Sequence, residues 1–374
     1  MASNGESATL AVSTDDGGYF FTSGADRKSW SKGKRFLAGE SVNSVSRDRN
    51  GGFFAATLTE GVFRSDDFGK TWSPSSRGLN VRKVWTVEPD KNEDGLVYAG
   101  THYGHLFRSS DSGKHWEEVT GLHKAPLREK WGIDWAMGTT GMALHTVKSV
   151  RGKKGSLYVV AAGTGPYLTK DSGETWEIIN NGVKKDCPVG AQDTYEGPSG
   201  KSADEILWAH LDEVHSCTHK LALSESQQGL IYQQNHCGVY RSDDGGLNWS
   251  DISPSTNIRH GFPITLVEGG SNSLFVIPAY QGKCKKHNSC IQGKLEVLRT
   301  DDGGRRWKHL TSGLPADTHS CVLRDGMASD SSSEPGVYFG TTSGEVYAST
   351  DRGKSWNMIA SGLGRIQGIS AFAI

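Results

Sequence analysis

The chain has 374 residues, 35% of them hydrophobic, and a formal net charge of −1 from 41 basic and 42 acidic side chains. That balance excludes a general binder of nucleic acid or acidic membranes, which needs a basic excess, and no apolar run reaches the ~18 residues of a membrane span. The first 30 residues lack a basic start followed by an apolar stretch, so the six cysteines read as free thiols of a cytoplasmic protein.

In chain order, the first elements are the short strands "TLAVS" (9–13) and "YFFTS" (19–23), followed by "SGADRKSW" (23–30). From there a pattern Ser/Thr-x-Asp-x-Gly-x-x-Trp recurs. It reads "SDDFGKTW" (65–72), "SSDSGKHW" (109–116), "TKDSGETW" (169–176), "SDDGGLNW" (242–249), "TDDGGRRW" (300–307) and "STDRGKSW" (349–356). Each copy follows one alternating strand and precedes another, which makes it a hairpin turn. The carboxylate and hydroxyl accept backbone N–H bonds, glycine supplies a positive φ, and the Trp ring packs between neighbouring sheets. Segment 23–30 keeps Ser23 and Trp30 but has lost the Asp and Gly, and it is the degenerate seventh copy. The competing "STDDGGYF" (13–20) is then a loop at the opposite end of its blade. The last strand, "IQGISAFAI" (366–374), is innermost in the N-terminal blade and pairs with residues 8–13, closing the ring. The expectation is an all-β, seven-bladed propeller, one domain over residues 1–374.

These turns resemble the Asp-box (BNR) repeat of sialidases, sortilin-type receptors, xyloglucanases and photosystem II assembly factors. With "YQQNHCGVYRSDDGG", "GFPI", "VLRDGMASD" and "GVYFGTTSG", the chain is similar to soluble propellers labelled glycosyl hydrolase or sialidase-like. The resemblance implies a fold and leaves the chemistry open. Sialidase activity is not expected: there is no Phe-Arg-Ile-Pro segment, and seven blades are inferred where sialidases have six.

Trp spacing widens from 42–44 residues to 60, 73 and 58 in the middle of the chain. In a four-stranded meander, the repeat turns define one face, here the bottom. The long segments 117–143, 177–218, 250–262 and 279–293 then fall on the top, where binding residues concentrate. The stretch "YQQNHC" ends a strand with Gln233, Gln234, Asn235 and His236, where equivalent strands carry small residues. Inner strands begin with His145, His219 and His319 near the mouth, and neighbouring loops add His215, Arg259 and His260. All six cysteines also map to the top.

Three chemistries are open. A divalent transition metal on His145, His219 and His236 is the first, and the same histidines are the candidate catalytic groups. Paired carboxylates are the second, drawn from Asp15, Asp16, Asp134, Asp193, Glu196, Asp204, Glu205, Asp212 and Glu213. Ligand stacking on Trp131, Trp135 or Trp208 is the third, with Arg35, Arg82, Arg128, Arg259 and Arg365 as anion-holding candidates. Each group also has a plainer use: histidines ordering loop carbonyls, carboxylates solvated, tryptophans anchoring insertions. "CKKHNSC" (284–290) reads first as a solvated loop. The expected function is a propeller enzyme of hydrolase or lyase type, acting on a small polar or sugar-like molecule in the top funnel. The alternative is a non-catalytic binding or assembly scaffold.

Overall fold

A computed structural model describes residues 6–128, 131, 143–162, 164–184, 218–255, 258–269, 272–279, 295–316, 318 and 320–373. They form seven four-stranded antiparallel sheets. Blade 1 runs Ile366–Ala373, Ala8–Thr14, Gly17–Ser23 and Trp30–Phe36, from the inside outwards. Blades 2 to 7 begin with the inner strands Val42–Arg47, Val84–Pro89, Leu144–Ser149, Thr218–Leu223, Gly261–Val267 and Met327–Ser329. Ring closure is as expected: the last strand pairs with the first, Ala8 opposite Ala373 and Leu10 opposite Ala371. Of the expected insertions, 250–262 is described except at 256–257 and 117–143 in about half its length, whereas 177–218 and 279–293 lie mostly outside the described residues.

The six intact turns are built alike. In the blade 2 copy, the Gly69 N–H donates to Ser65 Oγ (2.9 Å), the Thr71 N–H to Asp67 Oδ1 (2.8 Å), and Trp72 Nε1 to the Gly69 carbonyl (3.1 Å). Blades 4 and 5 repeat the glycine and carboxylate bonds at 2.8–3.0 Å. The repeat glycines have φ between +76° and +99°, which an L side chain rarely adopts. Several indoles reach across to the preceding blade: Trp116 donates to the Ser75 carbonyl, Trp249 to Ile179 and Trp307 to Ile252. The ring thus fills the wedge between sheets while its N–H ties them together.

The degenerate turn keeps this shape with other chemistry. Arg27 stands in the glycine position at φ +53°, and Trp30 Nε1 still donates to its carbonyl at 3.1 Å. The Arg27 side chain crosses to blade 7 and meets Asp330 at 3.0 Å, with both side chains almost fully buried. The copy that looks decayed in sequence is the one that fastens the seam of the ring.

The turn carboxylates carry a pH signature. Asp67 and Asp171 are held at about 2, first by hydroxyl bonds from Thr71 and Thr175, and Asp302 at about 2, first by the Arg306 N–H. Because these values lie below an unfolded aspartate's ~3.9, the stabilisation is full above that pH and is lost as pH falls towards 2. Asp171→Asn is therefore expected to be less stable than the parent in urea at pH 7. The difference should shrink as pH falls from about 4 through about 2; a pH-independent difference would refute it.

Candidate functional site

Blades 5 and 6 bring three imidazoles together at the top. His219 is the second residue of an inner strand, His236 sits in the tight turn between Ile231–Asn235 and Gly238–Ser242, and His260 immediately precedes Gly261–Val267. Their ring centroids lie 4.6, 4.9 and 5.4 Å apart, and one nitrogen from each falls within 4.8 Å of the others. Phe262 stacks on His219 at 4.6 Å and meets His260 edge-on, closing one side of the group.

The polar residues of "YQQN" support this cluster from beneath. Gln234 Nε2 donates to the carbonyls of Asn235 (2.9 Å), Gly238 (3.1 Å) and Arg259 (2.8 Å), tying the His236 turn to the segment that carries His260. Asn235 Oδ1 accepts the Cys237 N–H at 2.7 Å and shapes the same turn. Gln233 Oε1 accepts from Thr218 Oγ1 at 2.6 Å, bracing the strand before His219. His219 Nδ1 donates to the Gly261 carbonyl at 2.5 Å, which fixes the tautomer and leaves Nε2 with its lone pair. The ring nitrogens of His260 make no hydrogen bond among the described residues beyond a loose approach to the Ala279 backbone.

Burial keeps all three rings neutral. His219 is pushed well below the usual imidazole range, first by burial and then by His236 and His260. Burial followed by Arg324 takes His236 to about 4, and burial followed by His236 takes His260 to about 3. Neutral imidazoles packed this way disfavour protons and suit a cation that accepts lone pairs.

His145 stands elsewhere. It is buried in blade 4 with Nδ1 against Thr146 Oγ1 at 3.0 Å, and it lines the axial cavity instead of joining the three-ring group. That cavity, about 560 Å³, is lined by the inner strands with charged and apolar side chains in similar measure. Lys148 pairs with Glu88 at 2.9 Å, Lys220 with Asp325, and Lys91 and Arg151 both with Glu225 at 2.5 Å.

Two groups on the upper axis escaped the sequence reading. Arg324 lies over the Trp85 ring at 5.7 Å and acts electrostatically on His145, His219 and His236 alike. Arg324 stands within "VLRDGMASD", a segment read only for its resemblance, and Trp85 is simply the second residue of an inner strand, the position His145 and His219 hold in their blades.

The other expected residues separate. Arg259 pairs with Asp251, away from the imidazoles. Trp131 is buried as an anchor: Nε1 donates to Tyr167 Oη at 3.1 Å, and the Arg128 guanidinium covers the ring at 4.5 Å. Asp15 accepts the Arg365 N–H, while Asp16 accepts the Gly39 N–H and pairs with Arg35, so both hold loops. His215, His319, Trp135, Trp208 and the seven carboxylates from Asp134 to Glu213 lie outside the described residues. The expectation of free thiols fails at Cys237, which is disulfide-bonded with a partner outside the described residues; Cys321 is a buried thiol.

Comparison with known proteins follows the fold. A model of the sortilin (neurotensin receptor 3) family matches residues 60–230. The chain is 25% identical to the oligoxyloglucan-reducing end-specific xyloglucanase of Emericella nidulans, over 82% of this chain and 39% of that protein. Among solved structures, an ancestral GH74 enzyme superposes with a TM-score of 0.59 at 16% identity, covering 86% of this chain and 38% of its own. YCF48 bound to D1 peptide gives 0.52 at 15%, covering 85% and 80%. The chain thus spans less than two-fifths of the length of the curated relatives it matches. It is a seven-bladed β-propeller similar to xyloglucanase and sortilin propellers.

Proposed function

We propose that this chain is an enzyme of hydrolase or lyase type that acts on a polar, sugar-like molecule at the top of its axis. His219, His236 and His260 hold a divalent transition metal ion there. The carrying observation is the convergence of three neutral imidazoles, one with its tautomer fixed by a backbone carbonyl. A three-nitrogen set suits zinc or a similar ion and leaves a coordination position open. When bound, such an ion supplies Lewis acidity towards a water or a substrate oxygen. The protein's own part is to hold the rings through Gln234 and Gly261, to exclude water with Phe262, and to set the positive field of Arg324 beside the rings. Xyloglucanases among the relatives support a carbohydrate substrate.

A docking scaffold needs a contiguous apolar or single-sign face. Among the described residues, the exposed large apolar side chains are Phe68, Tyr103, Leu247 and Met358, which sit in four different blades. The enzyme reading is tested by elemental analysis of the purified protein, followed by a product assay on neutral and uronate-containing oligosaccharides with and without chelator. Near-stoichiometric metal with chelator-sensitive turnover is expected. Metal-free protein without turnover would end this reading.

A further inference from the structure

A second group of potential ligands lies on the outer rim of blade 3, apart from the three-ring cluster. His105 precedes the strand Leu106–Ser109, Glu118 belongs to the outermost strand Glu117–Glu118, and His123 lies in the short 3-10 turn Thr120–Lys124. Pairing of Phe107 with Glu118 sets the carboxylate beside the turn that carries His105. Both rings then converge on one oxygen: His105 Nδ1 lies 2.5 Å and His123 Nε2 2.7 Å from Glu118 Oε1. The rings are 5.4 Å apart, and the three ligand atoms fall within 4.8 Å of one another.

We infer that His105, Glu118 and His123 form a binding site for a divalent ion of the zinc class. Two neutral imidazoles and one carboxylate are a favoured donor set for such an ion, and the carboxylate offsets half its charge. In a tetrahedral site with metal–ligand bonds of about 2.0–2.1 Å, neighbouring ligand atoms stand roughly 3.3 Å apart. The present contacts are those of shared protons, so the ion replaces those protons while each contact opens by less than ~1 Å. The needed motion is available at the surface: the side chains of His105, Glu118 and His123 are 25%, 22% and 43% exposed. Their exposure also leaves the remaining coordination positions to water. The bound ion would fasten the outer strand and the start of the blade 3–4 crossing to the strand inside them.

The test is a zinc titration of the full-length, chelator-stripped protein, repeated with Co²⁺ to read nitrogen and oxygen ligation from its visible absorption. His260→Ala isolates this site from the one proposed above. In that background one equivalent should bind, and adding Glu118→Gln should weaken it by at least ~100-fold, since loss of a direct ligand exceeds the 10–100-fold cost of an outer-shell change. Glu118→Gln alone should lower wild-type stoichiometry by one equivalent, which tests the site even if His260→Ala fails to fold. Unchanged zinc binding after Glu118→Gln in both backgrounds would overturn the inference and leave the trio as a hydrogen-bonded loop brace. Because each substitution removes its own equivalent, failure here is distinguishable from failure at the three-imidazole cluster.

Discussion

His260→Ala is expected to weaken zinc binding at the top of the axis by at least ~100-fold, whereas His145→Ala should change it by no more than ~10-fold. The contrast follows from where the two rings stand. His260 meets His236 at 4.9 Å and His219 at 5.4 Å, and its nitrogens make no firm hydrogen bond that would compete with an ion. Removing it leaves two ligands, and water must replace the third. His145 touches Thr146 and lines the axial cavity, so its loss alters at most the surroundings of the site. Isothermal titration with Zn²⁺ on stripped protein measures both variants. Equal losses would mean that His145 ligates after all. No loss in either would show that these imidazoles brace loops, and the proposed function would fall with that result.

How far the sequence led differs between scaffold and site. The scaffold was legible because each repeat turn is a local device: Ser242, Asp244, Gly246 and Trp249 form one turn whatever the rest of the chain does. Six such turns fix strand order, and ring closure fixes the seventh blade. The site depends on which positions of different blades share a depth along the axis. His145 and His219 are each the second residue of an inner strand, so sequence placed them together. They belong to adjacent blades, yet their rings find different partners: His145 turns to Thr146 Oγ1 and His219 to the Gly261 carbonyl. His260 lies just before its strand, outside any alternating pattern, yet the Gln234 bond to Arg259 draws it against His236. Arg324 was missed for the same reason: it lies in an irregular stretch before Met327–Ser329.

Asp330→Ala is expected to destabilise the protein by about 3–5 kcal/mol, because it strips the partner from a buried charge. Arg27 and Asp330 join blades 1 and 7 at the seam with side chains only 6% and 0% exposed. Asp330 also accepts Tyr338 Oη at 2.7 Å, Ser332 Oγ at 2.6 Å and the Gly336 N–H at 3.2 Å. Burial and this carboxylate both push the Tyr338 phenol upwards, so it stays a neutral donor. Arg27 would retain bonds to Ser332 Oγ and to the Glu6 and Glu334 carbonyls, none of which neutralises it. The double change Arg27→Met, Asp330→Ala should cost less than Asp330→Ala alone, since replacing a whole buried pair by apolar groups is often nearly neutral. Arg35 and Asp16, with side chains 43% and 56% exposed, provide the control, and breaking that pair should cost no more than ~1 kcal/mol. Urea unfolding of the four proteins separates these cases. If Asp330→Ala unfolds within ~1 kcal/mol of the parent, the seam is held by strand pairing with Ala8–Thr14 and by the Trp30–Tyr338 ring contact, and the ion pair is dispensable.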